Sequence, residues 1–213
     1  MLGILGGTFD PVHFGHLRPA LDIQQVLGLE EVRLIPCHIP PHRPQPVADA
    51  PLRVAMLEAA IRNYPEFRID RRELERDGPS WTFDTLMSLR AELGTVSLSL
   101  LIGLDAFHDL PTWHRWHELI NLCHMVVMTR PGSEIHPEGE LEDFVNRHRV
   151  MDPAELEKHA VGRVLFQNVT QLEISATRIR TLLAHGENAG FLVPEAVLEI
   201  IRREHLYQAR TLQ

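Results

Sequence analysis

The chain has 213 residues, a formal net charge of −8, and 44% hydrophobic and 23% charged residues. It is long enough for one sizeable core, and its composition excludes a disordered or membrane-embedded chain. The acidic balance argues against general nucleic-acid binding, and no apolar run approaches the roughly 20 residues of a spanning helix.

The N-terminus passes straight into a strand, without a basic region or cleavage site, so export is not expected. Cys37 and Cys123 form no disulfide framework and read as buried thiols of a reducing compartment, which makes the cytoplasm the expected location. Thirteen histidines raise the question of a metal. No His-Glu-x-x-His or Cys-x-x-Cys pattern is present, however, and His114 and His117 read as a solvated helix face. No protein metal site is assigned.

In chain order, Leu2 to Leu5 reads as a buried strand that stops at Gly6-Gly7, where bare backbone can approach a ligand. Thr8-Phe9-Asp10-Pro11 is turn chemistry, and helical periodicity starts near Gly15. A Gly-Gly after an apolar run is commonly only a turn. His13 and His16 flank the helix start, where free N–H groups and the helix dipole favour an anion, and both imidazoles can donate to phosphate oxygens. Gly28 stops this helix, and Val32 to Pro36 is the second strand.

Pro40 to Pro46 then forms a proline-rich loop at a strand's C-terminal end. It is either a stiff connector or, through His42 and Arg43, a phosphate contact. Ala50 to Asn63 is an amphipathic helix and Phe67 to Ile69 a short strand. The mixed charges of Arg71 to Asp77 read as a solvated edge strand. Ser80 is the expected N-cap of a helix that begins at Trp81-Thr82. Val96 to Ile102 is the central strand. It ends at Gly103-Leu104-Asp105, whose carboxylate suits ribose hydroxyls or an N-cap. Trp113 and Trp116 follow in a polar segment. Two tryptophans there are not expected to be wholly core, and a cationic ring would gain energy by stacking on one of them. Met125 to Met128 is a strand with Arg130 at its end, either facing phosphate or solvent.

Residues 133 to 160 read as helices and loops outside the sheet, and Val164 to Phe166 as the last strand. Ser175 caps a helix to about Leu183, and with Thr177 and Arg180 it forms a second anion site or simply a cap. Pro194 to Tyr207 is an amphipathic tail helix. Strands alternate with helices, so the fold class is α/β: a parallel sheet with helices on both faces, as a single domain over residues 1–213.

Gly6-Gly7-Thr8-Phe9-Asp10-Pro11-Val12-His13-Phe14-Gly15-His16 resembles the nucleotidyltransferase signature with its His-x-Gly-His tetrapeptide, and looks most like the bacterial nicotinate-nucleotide adenylyltransferases. Ile174 to Arg180 resembles that family's Ile-Ser-x-Thr-x-Ile-Arg, with Arg180 at the matching position and Arg178 at a variable one. The resemblance implies a Rossmann-like doubly wound fold. It also implies adenylyl transfer from ATP to nicotinate mononucleotide in NAD biosynthesis.

By the same resemblance, Gly6, Gly7, Thr8, Phe9, His13, Gly15, His16, Gly103, Asp105, Ser175, Thr177 and Arg180 would hold ATP. His42, Arg43, Trp81, Thr82 and Trp113 would hold the mononucleotide, although Trp81 stands where the family more often has tyrosine. His13, His16 and Arg180 would be catalytic. Mg²⁺ would arrive on the ATP oxygens, keeping much of its water. The alternatives are a phosphopantetheine adenylyltransferase, a cytidylyltransferase, or a non-catalytic ATP sensor. A class I aminoacyl-tRNA synthetase would need more chain and a lysine-rich second motif, whereas Lys158 is the one lysine here. The partners are small molecules, with no nucleic acid or membrane expected, and the oligomeric state is left open.

Overall fold

Hydrophobic strands whose alternate residues face opposite helix layers set the architecture. The structure is a computed structural model, and it describes residues 1–41, 44–132 and 136–209. Seven parallel strands form one sheet: β1 (Leu2–Gly7), β2 (Glu31–Pro36), β3 (Phe67–Ile69), β4 (Leu98–Gly103), β5 (His124–Thr129), β6 (Arg149–Val150) and β7 (Val164–Asn168). Their spatial order is β3-β2-β1-β4-β5-β7-β6.

Along the strands the side chains part by period two. Leu5, Leu34, Leu101, Val126 and Leu165 enter one core layer. It is covered by α1 (Phe14–Leu27), α2 (Ala50–Ile61), α7 (Ala176–Ala184) and α8 (Glu195–Arg203). Ile4, Ile35, Leu100, Val127 and Val164 enter the other. That layer is covered by α3 (Thr82–Leu93), α4 (Leu104–His108), α5 (Trp116–Leu119) and α6 (Glu140–His148).

The strand order reverses direction between β1 and β4, which opens a crevice outside their C-terminal ends. Both strands end in glycine there, at Gly7 and Gly103. Gly28 closes α1 with φ 58°, the left-handed conformation that glycine adopts without cost. Among the described residues, no helix is long and apolar enough to cross a membrane.

Four sequence expectations are corrected. The tail helix ends at Arg203, and residues 204–207 form turns. Residues 71–77 form turns instead of an edge strand. Their charges are used locally: Arg72 pairs with Asp70 and Glu92, and Glu73 is buried. The N-cap of α3 is Trp81, because Ser80 is engaged elsewhere: its hydroxyl accepts the His38 N–H at 2.9 Å. Residues 149–150 also join the sheet as β6 beside β7, a pairing too short to leave a periodic signal.

Candidate active site

The turn after β1 is built around buried polar groups. Phe9 adopts φ 50° and the Asp10–Pro11 peptide is cis. Asp10 is 3% exposed. Its carboxylate accepts the N–H groups of Val47 and Ala48 at 2.7 and 3.1 Å, and the Tyr207 hydroxyl at 2.7 Å. Arg53 is buried on α2 and donates to the Thr8 carbonyl at 2.8 Å. These bonds fix the chain leading into His13, the N-cap of α1.

His13 and His16 stack with their ring centroids 3.7 Å apart, and the Phe9 edge meets His16 at 5.1 Å. The His13 N–H donates to His16 Nδ1 at 3.4 Å, so neutral His16 carries its proton on Nε2. Burial lowers the pKa of His13 from 6.5 to about 4. Its Nδ1 is buried without a hydrogen-bond partner among the described residues.

Gly15 is required by space. A Cβ there would lie 2.9 Å from both His13 Nδ1 and the Ile174 carbonyl oxygen. The same contact brings the segment leading into α7 against the start of α1. Ser175 caps α7 and accepts the Arg178 N–H at 3.2 Å, so the capping expectation holds. Arg180 reaches back to the turn after β1: Nη1 donates to the Asp10 carbonyl at 2.7 Å, and Nη2 to the Thr177 hydroxyl at 3.4 Å. Arg178 is exposed, one position outside this arrangement. Arg130 is also exposed and turned to its own neighbours, Gln171 at 2.5 Å and Glu173 at 2.8 Å.

On the other side of the β1–β4 crevice, Gly103 is the N-cap of the one-turn α4, and Asp105 lies exposed in that turn. The capping alternative for Asp105 is therefore filled by Gly103. The loop after β2 is tied to the start of α3: Ser80 N–H donates to the Ile39 carbonyl at 2.9 Å. His42 and Arg43, expected in this loop, lie outside the described residues.

Glu73 anchors the same region, accepting the Thr85 hydroxyl at 2.7 Å and also bonding Ser80. Burial pushes its carboxyl pKa up. Trp81 packs on His114 at 4.9 Å, which joins α3 to the segment carrying Trp113. Trp113 is half-buried against the second core layer, and Trp116 is buried packing stacked on exposed His117. Cys37 and Cys123 are buried and form no disulfide among the described residues, and burial holds the Cys123 thiol up at about 12.

The structure thus gathers His13, Gly15, His16, Ser175, Thr177 and Arg180 on one side of the crevice. Trp81, Thr82 and Trp113 lie on connected segments over the second layer. Sequence reasoning missed Asp10, Arg53 and Tyr207. Arg53 had a signal: it stands on the apolar stripe of α2 with Met56, Leu57 and Ala60, where an arginine must find a buried partner. The Asp10–Tyr207 bond spans 197 residues and had none.

The Cytidylyltransferase-like family matches residues 4–182. A Methylococcus capsulatus protein named "Probable nicotinate-nucleotide adenylyltransferase" is 50% identical over 208 residues, covering 97% of this chain and 99% of that protein. A Pseudomonas aeruginosa protein of the same name is 47% identical over 209 residues, covering 98% and 97%. Two solved structures of Plasmodium falciparum nicotinic acid mononucleotide adenylyltransferase share the fold. The complex with APC has TM-score 0.70 at 18% identity, covering 97% of this chain and 96% of that one. The complex with NaAD has TM-score 0.68 at 17% identity with the same coverage. On full-length identity near one half, the chain belongs to the nicotinate-nucleotide adenylyltransferase family, within the wider cytidylyltransferase-like group.

Proposed function

We propose that this chain transfers the adenylyl group of ATP to nicotinate mononucleotide, giving nicotinate adenine dinucleotide and pyrophosphate. The observation that carries the reading is the meeting of two helix N-termini, at His13–His16 and Ser175–Arg180, across the Gly15–Ile174 contact. At each, the helix dipole and polar side chains suit phosphate oxygens.

The 5′-phosphate of the mononucleotide attacks the α-phosphorus of ATP in line, and the bond to pyrophosphate breaks. That phosphate is already ionised, so no general base is needed. Catalysis is positioning plus stabilisation of charge on the α-phosphate and the leaving group. His16 donates from Nε2. His13 is neutral in its buried site and gains basicity when an anionic phosphate lies beside it. Ser175, Thr177 and Arg180 hold the β- and γ-phosphates, and Gly6 and Gly7 let the nucleotide lie against the backbone of β1. Asp105 accepts from the ribose hydroxyls. ATP is taken as its Mg²⁺ complex, in which a hard cation keeps oxygen ligands from phosphate and water.

The acceptor ring lies between Trp113 and the first turn of α3. Backbone N–H groups near Thr82 and after Trp113 are suited to a carboxylate, and His42 and Arg43 take the acceptor phosphate. A site built on donors leaves a nicotinamide NH₂ mispaired, which discriminates by roughly 10⁴ in favourable cases.

The test is kcat/KM with ATP and three acceptors: nicotinate mononucleotide, nicotinamide mononucleotide and phosphopantetheine. A preference of at least a hundredfold for the acid supports the ring site. Equal values for acid and amide overturn the donor assignment, and turnover with phosphopantetheine alone overturns the acceptor.

A further inference from the structure

Arg180 has two claims on it from a single residue. The Asp10 backbone carbonyl accepts its Nη1 at 2.7 Å and orients it, while the Asp10 carboxylate Oδ2 lies 3.9 Å from the same nitrogen. At that separation the ion pair is at its outer limit, and a carboxylate that closed to hydrogen-bond distance would take donors from any incoming phosphate. Three other donors occupy it instead. Val47 N–H binds Oδ2; Ala48 N–H and the Tyr207 hydroxyl bind Oδ1.

Tyr207 is 8% exposed and lies beyond the end of α8. It reaches Asp10 with φ 63°, a left-handed conformation that a bulky residue keeps only when its surroundings demand it. Burial, and then the neighbouring carboxylate, raise its pKa, so the hydroxyl stays a proton donor. Arg53 lies on the other flank, where its Nη1 is committed to the Thr8 carbonyl.

We infer that Tyr207 is a positioning residue of the triphosphate site: its hydroxyl, with the Val47 and Ala48 amides, engages both oxygens of the Asp10 carboxylate and so leaves the Arg180 guanidinium to the phosphates. The inference rests on the assignment of Arg180 to the triphosphate. It gives the end of the chain a part in ATP binding, although no Tyr207 atom need touch the nucleotide.

The experiment measures dissociation constants for Mg²⁺·ATP and for nicotinate mononucleotide by calorimetry. The proteins are wild type, Tyr207→Phe, Arg180→Ala and the double variant. Tyr207→Phe keeps the ring and loses the hydroxyl. It is expected to weaken ATP about tenfold, the worth of one bond to a charged group, and to leave the mononucleotide within twofold. In the Arg180→Ala background the same change should alter ATP affinity by less than twofold, because its effect passes through Arg180.

Equal weakening of both ligands, unchanged ATP affinity, or a tenfold loss that persists without Arg180 would each overturn the inference. Arg180→Ala binding ATP normally would instead remove Arg180 from the triphosphate site, and the inference with it. Val47→Pro deletes the amide on Oδ2 from a separate loop with an exposed side chain. Should Tyr207→Phe not fold, this variant supplies the same comparison, with ATP weakening in the wild-type background and cancelling without Arg180.

Discussion

The carbonyl oxygen of Ile174 lies 2.9 Å from the point where a side chain on Gly15 would begin. Two motifs about 160 residues apart in sequence therefore meet through backbone, and the proposed phosphate cleft is their shared boundary. Gly15→Ala is expected to separate them. The added carbon meets backbone on one side and the His13 ring on the other, neither free to move far. The expected cost is about 1–3 kcal/mol of stability with a larger proportional loss of turnover. Thermal denaturation and kcat on the same preparation check this. An alanine variant with normal kcat would show that the contact is slack.

His16→Ala removes the Nε2 donor while leaving the buried His13 in place. Loss of a charge-stabilising donor of this kind costs about 10²–10³ in kcat. The KM for nicotinate mononucleotide should move little, since the donor is proposed to act on ATP phosphates. Steady-state kinetics decide it, and full turnover in the variant removes His16 from the mechanism.

His13 makes stability depend on pH in a calculable direction. Its folded pKa of about 4 lies below the unfolded value of 6.5. The unfolded chain therefore binds the proton first, and the folded state loses stability as pH falls from 6.5 towards 4. Between pH 6.5 and 5 that loss is about 2 kcal/mol. His13→Gln should lack this contribution, so the wild-type-minus-variant difference isolates it from other groups such as His124. Urea unfolding at pH 7 and pH 5 measures it; parallel stability curves for the two proteins would contradict the burial argument.

Glu73 ties together the proposed acceptor side of the cleft. It accepts the Thr85 hydroxyl and bonds Ser80, whose own hydroxyl accepts the His38 N–H. Glu73→Ala leaves buried hydroxyls short of a partner, at about 1–3 kcal/mol, and loosens the contact between residues 37–41 and the start of α3. The KM for the mononucleotide is expected to rise several-fold while the KM for ATP stays within twofold. Glu73→Gln keeps a carbonyl acceptor and should recover most of the loss. A rise in the ATP KM alone would place Glu73 on the wrong side of the cleft.

Most of the architecture was legible because it depends on local pattern. Apolar runs at Leu2–Leu5 and Val32–Pro36 could only be strands, and Phe67–Ile69 has the bounds expected of it. Ser175 before an amphipathic stretch announced its cap. The segment 71–77 misleads because its mixed charges suggest a solvated strand, whereas Asp70, Glu73 and Glu92 draw those arginines and hydroxyls into a turn. The glycines and histidines of the first motif were visible as short-range chemistry. Asp10 was not, because a turn aspartate looks alike whether it caps its own loop or, as here, holds residues 47, 48 and 207. Long-range polar bonds leave no periodicity to read.

The most direct measurement follows labelled ATP. With nicotinate mononucleotide and Mg²⁺, label on the α-phosphorus should appear in the dinucleotide and label on the γ-phosphorus in pyrophosphate, one for one. ATP bound without redistribution of either label, or γ-label released as inorganic phosphate, would contradict adenylyl transfer and leave a nucleotide-binding fold with a different task.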